Sequence, residues 1–453
     1  MSHRKVWEDI YQRFDPVEPA KKPEWRADRP HSPVARIIRK LDLPFADLRI
    51  LLAGTVGTGK STELLRLSEA RTGKDLVLLL DLHRQFSSVM GDGEAIQRVE
   101  AWEIVFLVGL AVLGAAREIL THHPIPQEHV DDLQRAWERV ADATKTPRTT
   151  DVDLGKMASG MVTAGAVLLP LIGLSAPGAA AAAIGVGVTK ALADGIRSMV
   201  SIGRSKTTLP DQDEAMQTLL GAVNVLIGHV QHRHQRIVLL IDGLDRIRDE
   251  DRALALFLRS ELLGQLVCRT ILCAPFALRS APGAAAIPRF DTVVLANEPV
   301  LMKAHPDRLG PGVGFFVEMY RLRTQDLPAE DAIPRDLLER LAYVSGGRAR
   351  DFVKLVRSVA ERVWTADVAA PTPAMVEDAI DEARRDRERG LDVGHIGVLR
   401  AVMADPLRQL PEDSRARKLL DWGHLLPYPN ESEWYYPHPL LTLHLLRTPG
   451  STG

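Results

Sequence analysis

Cysteine is almost missing from this sequence: among 453 residues there are two, Cys268 and Cys273. Flanking an apolar run, they match neither a zinc site nor a disulfide framework, and read as small core side chains in a reducing compartment. An excess of either charge is missing as well. The formal net charge of −2 gives no global attraction to nucleic acid or to an anionic membrane, so any such binding would need a local patch. The charged opening Met1-Ser2-His3-Arg4-Lys5 leads into no apolar segment of signal-peptide type, which argues against secretion and for the cytoplasm. Internal repeats are absent too.

What is present is an ordinary soluble composition, 45% apolar and 26% charged, with length enough for two or three domains. Residues 48–53, 76–81, 237–242, 270–274 and 292–295 are short apolar runs of strand length, as parallel strands covered on both faces produce. Helical patterns lie between them, among them a long apolar one at 102–120. Strands alternating with helices predict a doubly wound α/β layer. Ahead of it, residues 1–45 read as an arm. Trp7, Ile10, Tyr11 and Phe14 recur there at helical spacing, and the Pro-rich stretch that follows carries Lys21, Lys22, Arg26 and Arg29. These cations belong either to a phosphate contact or to a strap packed across the next domain. From about residue 301 the pattern turns helical, at 314–322, 335–344, 348–363 and 373–389.

One motif carries chemistry. Gly54-Thr55-Val56-Gly57-Thr58-Gly59-Lys60-Ser61 fits G-x-x-x-x-G-K-[ST] in full and is followed by Thr62 in an amphipathic helix. Its glycines let successive N–H groups point at phosphate oxygens, and the helix aims its positive end at the same anion. Lys60 is expected on the β- and γ-phosphates and Ser61 on Mg²⁺. The whole segment, Gly54 to Thr62, is the expected ATP contact. Such a loop needs a carboxylate at the end of another buried strand. The run ending in Asp242-Gly243-Leu244-Asp245-Arg246 supplies it, with Asp242 for Mg²⁺ and Asp245 as the candidate to polarise the attacking water.

The strand–GTVGTGKS–helix unit beside LLIDGLDR resembles the STAND and KAP branches of P-loop NTPases, near the AAA+ ATPases. The resemblance implies a P-loop NTPase core with a parallel sheet over residues 46–300, a helical lid over 301–390 and a winged-helix-like domain over 391–453. Ser345-Gly346-Gly347-Arg348-Ala349-Arg350-Asp351 is similar to the lid segment in which an arginine senses the γ-phosphate, Arg350 being the matching position and Arg348 the alternate. His438 resembles the winged-helix histidine with which STAND proteins hold ADP. Two departures imply slow turnover: many AAA+ ATPases carry Glu where this chain has Gly243, and Pro275-Phe276-Ala277 lacks the polar residue that usually orients water.

Between the two acidic and glycine-rich elements lies an insertion, about 150–210, in which residues 157–189 carry no charge. Each half is shorter than the roughly 20 residues that span a bilayer. It reads either as a buried or oligomer-contacting hairpin or as a membrane-inserting one, the latter making the protein membrane-associated. The C-terminal stretch holds helical patterns at 398–403, 414–422 and 440–446 and a hairpin at 425–436. Arg415, Arg417 and Lys418 could meet nucleic acid, but the acids nearby favour a protein partner. The expectation is a cytoplasmic switch that binds and slowly hydrolyses ATP with Mg²⁺ and passes its state to a homo-oligomer or protein partner. A role in bacterial stress or antiphage signalling accords with the family; a membrane-bound KAP-like protein and a DNA-binding ATPase of origin-binding type are the alternatives.

Overall fold

The computed structural model describes residues 3–20, 22–44, 48–89, 93–120, 124–143, 161, 167–168, 210–280, 289–328, 332–430 and 432–447. They form two compact units, one of residues 34–53 and 64–293, the other of residues 1–33, 54–63 and 294–453.

The first unit is built on an α/β sheet. Its strands are β1 (Arg49–Gly54), β2 (Leu76–Asp81), β3 (Val167–Leu168), β4 (Ile237–Asp242), β5 (Arg269–Pro275) and β6 (Asp291–Val294), ordered β3-β2-β4-β5-β1-β6. β2 pairs parallel with β4 and β4 with β5. The runs Leu-Val-Leu-Leu-Leu and Ile-Val-Leu-Leu-Ile are buried at every position. Only a strand covered on both faces tolerates such a run, and the sequence reads it correctly. One cover is the helix Ala101–Ile119, buried from Ala101 through Ala116. Its first turn is held by the Glu103 carboxylate, which accepts from the Glu100 N–H at 2.9 Å. Both cysteines are buried and unbridged, and burial pushes the Cys268 thiol up to about 11.

Most of the uncharged stretch 157–189 lies outside the described residues. Of the rest, Met161 is fully buried in the core of this unit, and Val167–Leu168 adds an antiparallel strand beside β2. The sequence does not reveal this sixth strand, because two residues carry no periodicity. Among the described residues no helix is long and apolar enough to cross a membrane.

The second unit has its own core. The arm helix His3–Arg13 delivers Val6, Trp7 and Ile10, and Phe14 follows, into a cluster with Phe316, Tyr320, Phe352 and Val356. Burying each of these large side chains contributes about 1.5–3 kcal/mol. The arm is therefore structural, and Trp7 Nε1 also donates to Ala369 O at 3.1 Å. The helices Val313–Thr324, Arg335–Val344, Ala349–Ala366 and Pro373–Glu388 follow the expected pattern closely. Then come Val393–Ala404, Ser414–Asp421, the hairpin of β7 (Leu425–Tyr428) and β8 (Trp434–Pro437), and a short helix at Pro439–Thr442.

Candidate functional site

β1 runs directly into the glycine-rich loop. Gly57 and Gly59 have φ of +93° and +104°, where a side chain would be strained. Thr58 closes the turn, its N–H on Thr55 O at 3.3 Å and its hydroxyl on the same oxygen at 3.0 Å. The helix Lys60–Arg71 starts at once, and half-buried Ser61 and Thr62 lie in its first turn. Lys60 is buried, its ammonium donating to Gly54 O at 2.6 Å and Thr55 O at 2.9 Å. Positive-φ glycines, a buried lysine and a hydroxyl at a helix start are the donor set that a polyphosphate with Mg²⁺ requires, so these residues fit that group.

The outer side of the loop is held by groups distant in sequence. Arg348 donates through Nε to Val56 O at 3.0 Å, and its Nη2 donates to the same oxygen. The Arg350 N–H donates to Gly57 O at 3.0 Å. Arg29 Nη2 donates to Thr58 O at 2.8 Å, while its Nε pairs with Glu298 Oε1 at 2.7 Å, both side chains 3% exposed. Burial holds the Glu298 carboxyl above its ordinary range, with Arg29 pulling the other way. Thr55 Oγ1 donates to Asn297 Oδ1 at 3.0 Å. Arg348, the alternate position in the sequence, is thus the arginine whose guanidinium lies on the loop. The Arg350 Nε donates to Pro16 O at 3.2 Å.

Asp351 organises this cluster. Its Oδ2 accepts from Arg348 Nη1 at 2.9 Å and Arg387 Nη2 at 2.8 Å, and meets His438 Nε2 at 3.2 Å. Burial opposes its ionisation, but Arg348 and then Arg387 overcome that and keep the carboxyl well below its usual range. His438 is fully buried, and burial first, then Arg387, lowers it to about 3. Its Nδ1 accepts from the Leu440 N–H at 3.3 Å, so the neutral ring carries its proton on Nε2 and donates to Asp351. His438 is therefore joined to the glycine-rich loop through Asp351 and Arg348. Asp351 and Arg387 were not singled out by the sequence, where they look like ordinary helical charges.

In the first unit, Asp242 ends β4 and its Oδ1 accepts from the Gly243 N–H at 2.8 Å. Gly243 has φ +95°, and a Cβ there would lie 3.0 Å from His83 N. No glutamate fits this position without moving the neighbouring backbone. Asp245 sits half-buried in the turn Leu244–Arg246. Asp81 is the in-register partner of Asp242 on β2. Burial, and then the charge of Asp242, raise it to about 6, and its Oδ1 accepts from Arg84 N–H at 2.9 Å. The sequence carried a signal for it, an apolar run ending in Asp like that of Asp242. Phe276 and Ala277 after β5 are buried. Among the described residues no three His, Cys, Asp or Glu side chains gather as a metal site. Comparison of the chain with models of known protein families and with curated protein sequences returns no match.

Proposed function

We propose that the protein is a regulatory ATPase of STAND or AAA+-like type, in which the 54–61 loop takes ATP and passes its state to the arm and the C-terminal half. One observation carries this reading: three successive carbonyls of the loop, Val56, Gly57 and Thr58, are held by Arg348, the Arg350 N–H and Arg29. A peptide unit is planar and trans, so each carbonyl is rigidly opposed to the N–H of the next residue. The N–H groups of Gly57, Thr58 and Gly59 are those a phosphate would draw. Any rotation that phosphate imposes on them must therefore disturb the three grips.

Lys60 would meet the phosphate charge, Ser61 and Asp242 the magnesium, and the bound triphosphate supplies the hydrolysable anhydride. In this reading the helices from Val313–Thr324 to Pro373–Glu388 are the lid. The segment from Val393–Ala404 to Pro439–Thr442 is the winged-helix-like domain, and its output is a contact with a protein partner or a second copy. Asp245 would orient the attacking water. Gly243 excludes the more usual acid, and the apolar Phe276 and Ala277 offer water no polar group, so turnover is slow and suits a switch. Equilibrium binding of a fluorescent ATP analogue to wild type and Lys60→Ala tests the core of the reading. Binding should be lost in the variant, and normal affinity there would sink the proposal.

A further inference from the structure

A second site lies away from the glycine-rich loop but within the same unit. Where the arm folds against the helix Val313–Thr324, a cleft of about 450 Å³ is lined by Gln12, Arg13, Lys22, Trp25 and Arg323, with Asp9, Asp15 and Glu18 at its acidic side. The volume is in the range of small-molecule pockets.

Arg323 is the unusual member. It is only 6% exposed, yet among the described residues no carboxylate pairs with it. Its Nη1 donates to Arg13 O at 2.9 Å, its Nε is buried without a hydrogen-bond partner, and its Cζ lies 5.1 Å from the Phe14 ring centre. Burial alone pulls the guanidinium down to about 10, so it stays charged at neutral pH. A buried cation is normally paired. The neighbouring charges are already engaged: Arg13 with Asp326, Asp15 with Arg357 and Asp9 with Lys5. Lys22 stands over the Trp25 ring at 4.8 Å, at the exposed rim. The cleft thus combines a buried guanidinium without a carboxylate among the described residues, a second cation at its mouth and an indole over which Lys22 and Arg13 both stand, at 4.8 and 5.5 Å.

We propose that this cleft binds a small oxyanion, a carboxylate or a phosphate, carried on an organic body that lies against Trp25. Arg323 supplies a buried positive charge that attracts either anion, and Lys22 adds charge at the rim. Bound there, the anion would join the arm to the helix Val313–Thr324. The site stands independently of the nucleotide reading.

The test is calorimetric titration of the full chain with inorganic phosphate and, separately, with citrate, each at constant ionic strength against chloride. At least one probe should bind. Arg323→Met should weaken it about ten- to hundredfold, the scale of hydrogen bonds to a charged group. Lys22→Ala, at an exposed residue that does not endanger folding, should weaken it severalfold. Lys60→Ala should leave the binding unchanged, which separates it from phosphate held by the glycine-rich loop. A phosphate-only or citrate-only response identifies the ligand class. Failure of both probes, binding lost with Lys60, or undiminished binding in both Arg323→Met and Lys22→Ala would overturn the proposal.

Discussion

Arg348 and Asp351 form a buried ion pair, Nη1 to Oδ2 2.9 Å, in which the same arginine reaches Val56 O through Nε. Three residues apart on the chain, they connect the glycine-rich loop to Arg387 and His438, the first on a helix and the second beyond the hairpin. Arg348→Met should break this link while leaving Lys60 and the loop glycines in place. If the link restrains the loop, ADP should dissociate about tenfold faster, roughly the value of one charge-assisted contact. Stopped-flow release of a fluorescent ADP analogue measures it, and an unchanged rate would remove Arg348 from the switch.

Asp351→Asn should be far more damaging to stability. It leaves the buried Arg348 and the half-buried Arg387 without their shared counter-charge, a change that typically costs about 3–5 kcal/mol at a buried pair. Denaturant unfolding should show it as a lowered midpoint with little change in slope. A loss below 1 kcal/mol would mean that solvent reaches the cluster.

Acid should weaken the fold by way of the buried His438. His438 is lowered from 6.5 to about 3 in the folded state, so between those values the unfolded chain binds a proton that the folded chain refuses. Stability therefore rises with pH through this window and is lost as pH falls below about 6.5. At pH 5 the contribution is about 2 kcal/mol from His438, and His424, also lowered to about 3 mainly by burial, acts in the same direction. Unfolding midpoints from pH 7 to 4.5 should decline in the wild type and decline less steeply in His438→Asn.

Under the proposed ATPase reading, Gly243→Glu would install the acid that many AAA+ ATPases carry after the strand-end Asp, yet no gain in turnover is expected. The position has positive φ and faces His83 N at 3.0 Å from a would-be Cβ. The left-handed backbone alone costs about 1–2 kcal/mol. Calorimetric melting together with phosphate release should show lower stability and no acceleration. Faster hydrolysis in a stable variant would refute this account of Gly243.

Asp245→Ala should retain nucleotide affinity and lose hydrolysis, since its assigned role is to orient water and not to hold ATP. Single-turnover phosphate release reads the difference. Turnover at the wild-type rate would transfer the role to another acid, for which Asp81, the register partner of Asp242, is a candidate.

The sequence by itself determined five of the six sheet strands, the glycine-rich turn, the helices between residues 313 and 388 and the hairpin, because each is written in local terms. An unbroken apolar run, a positive-φ glycine or a helical stripe needs only a few neighbouring residues to be recognised. It could not determine which distant residues meet. Arg348 reaches a carbonyl 292 positions away, and Arg29 joins Glu298 across 269 residues (298 − 29). The arm, the loop and the C-terminal half consequently fold into one unit that no division along the chain anticipates. Tertiary packing also removed Arg323 from solvent without giving it a carboxylate among the described residues, and made Asp351 a shared counter-ion. Charge on a helix reads alike whether it faces water or a buried cluster, and only burial distinguishes the two.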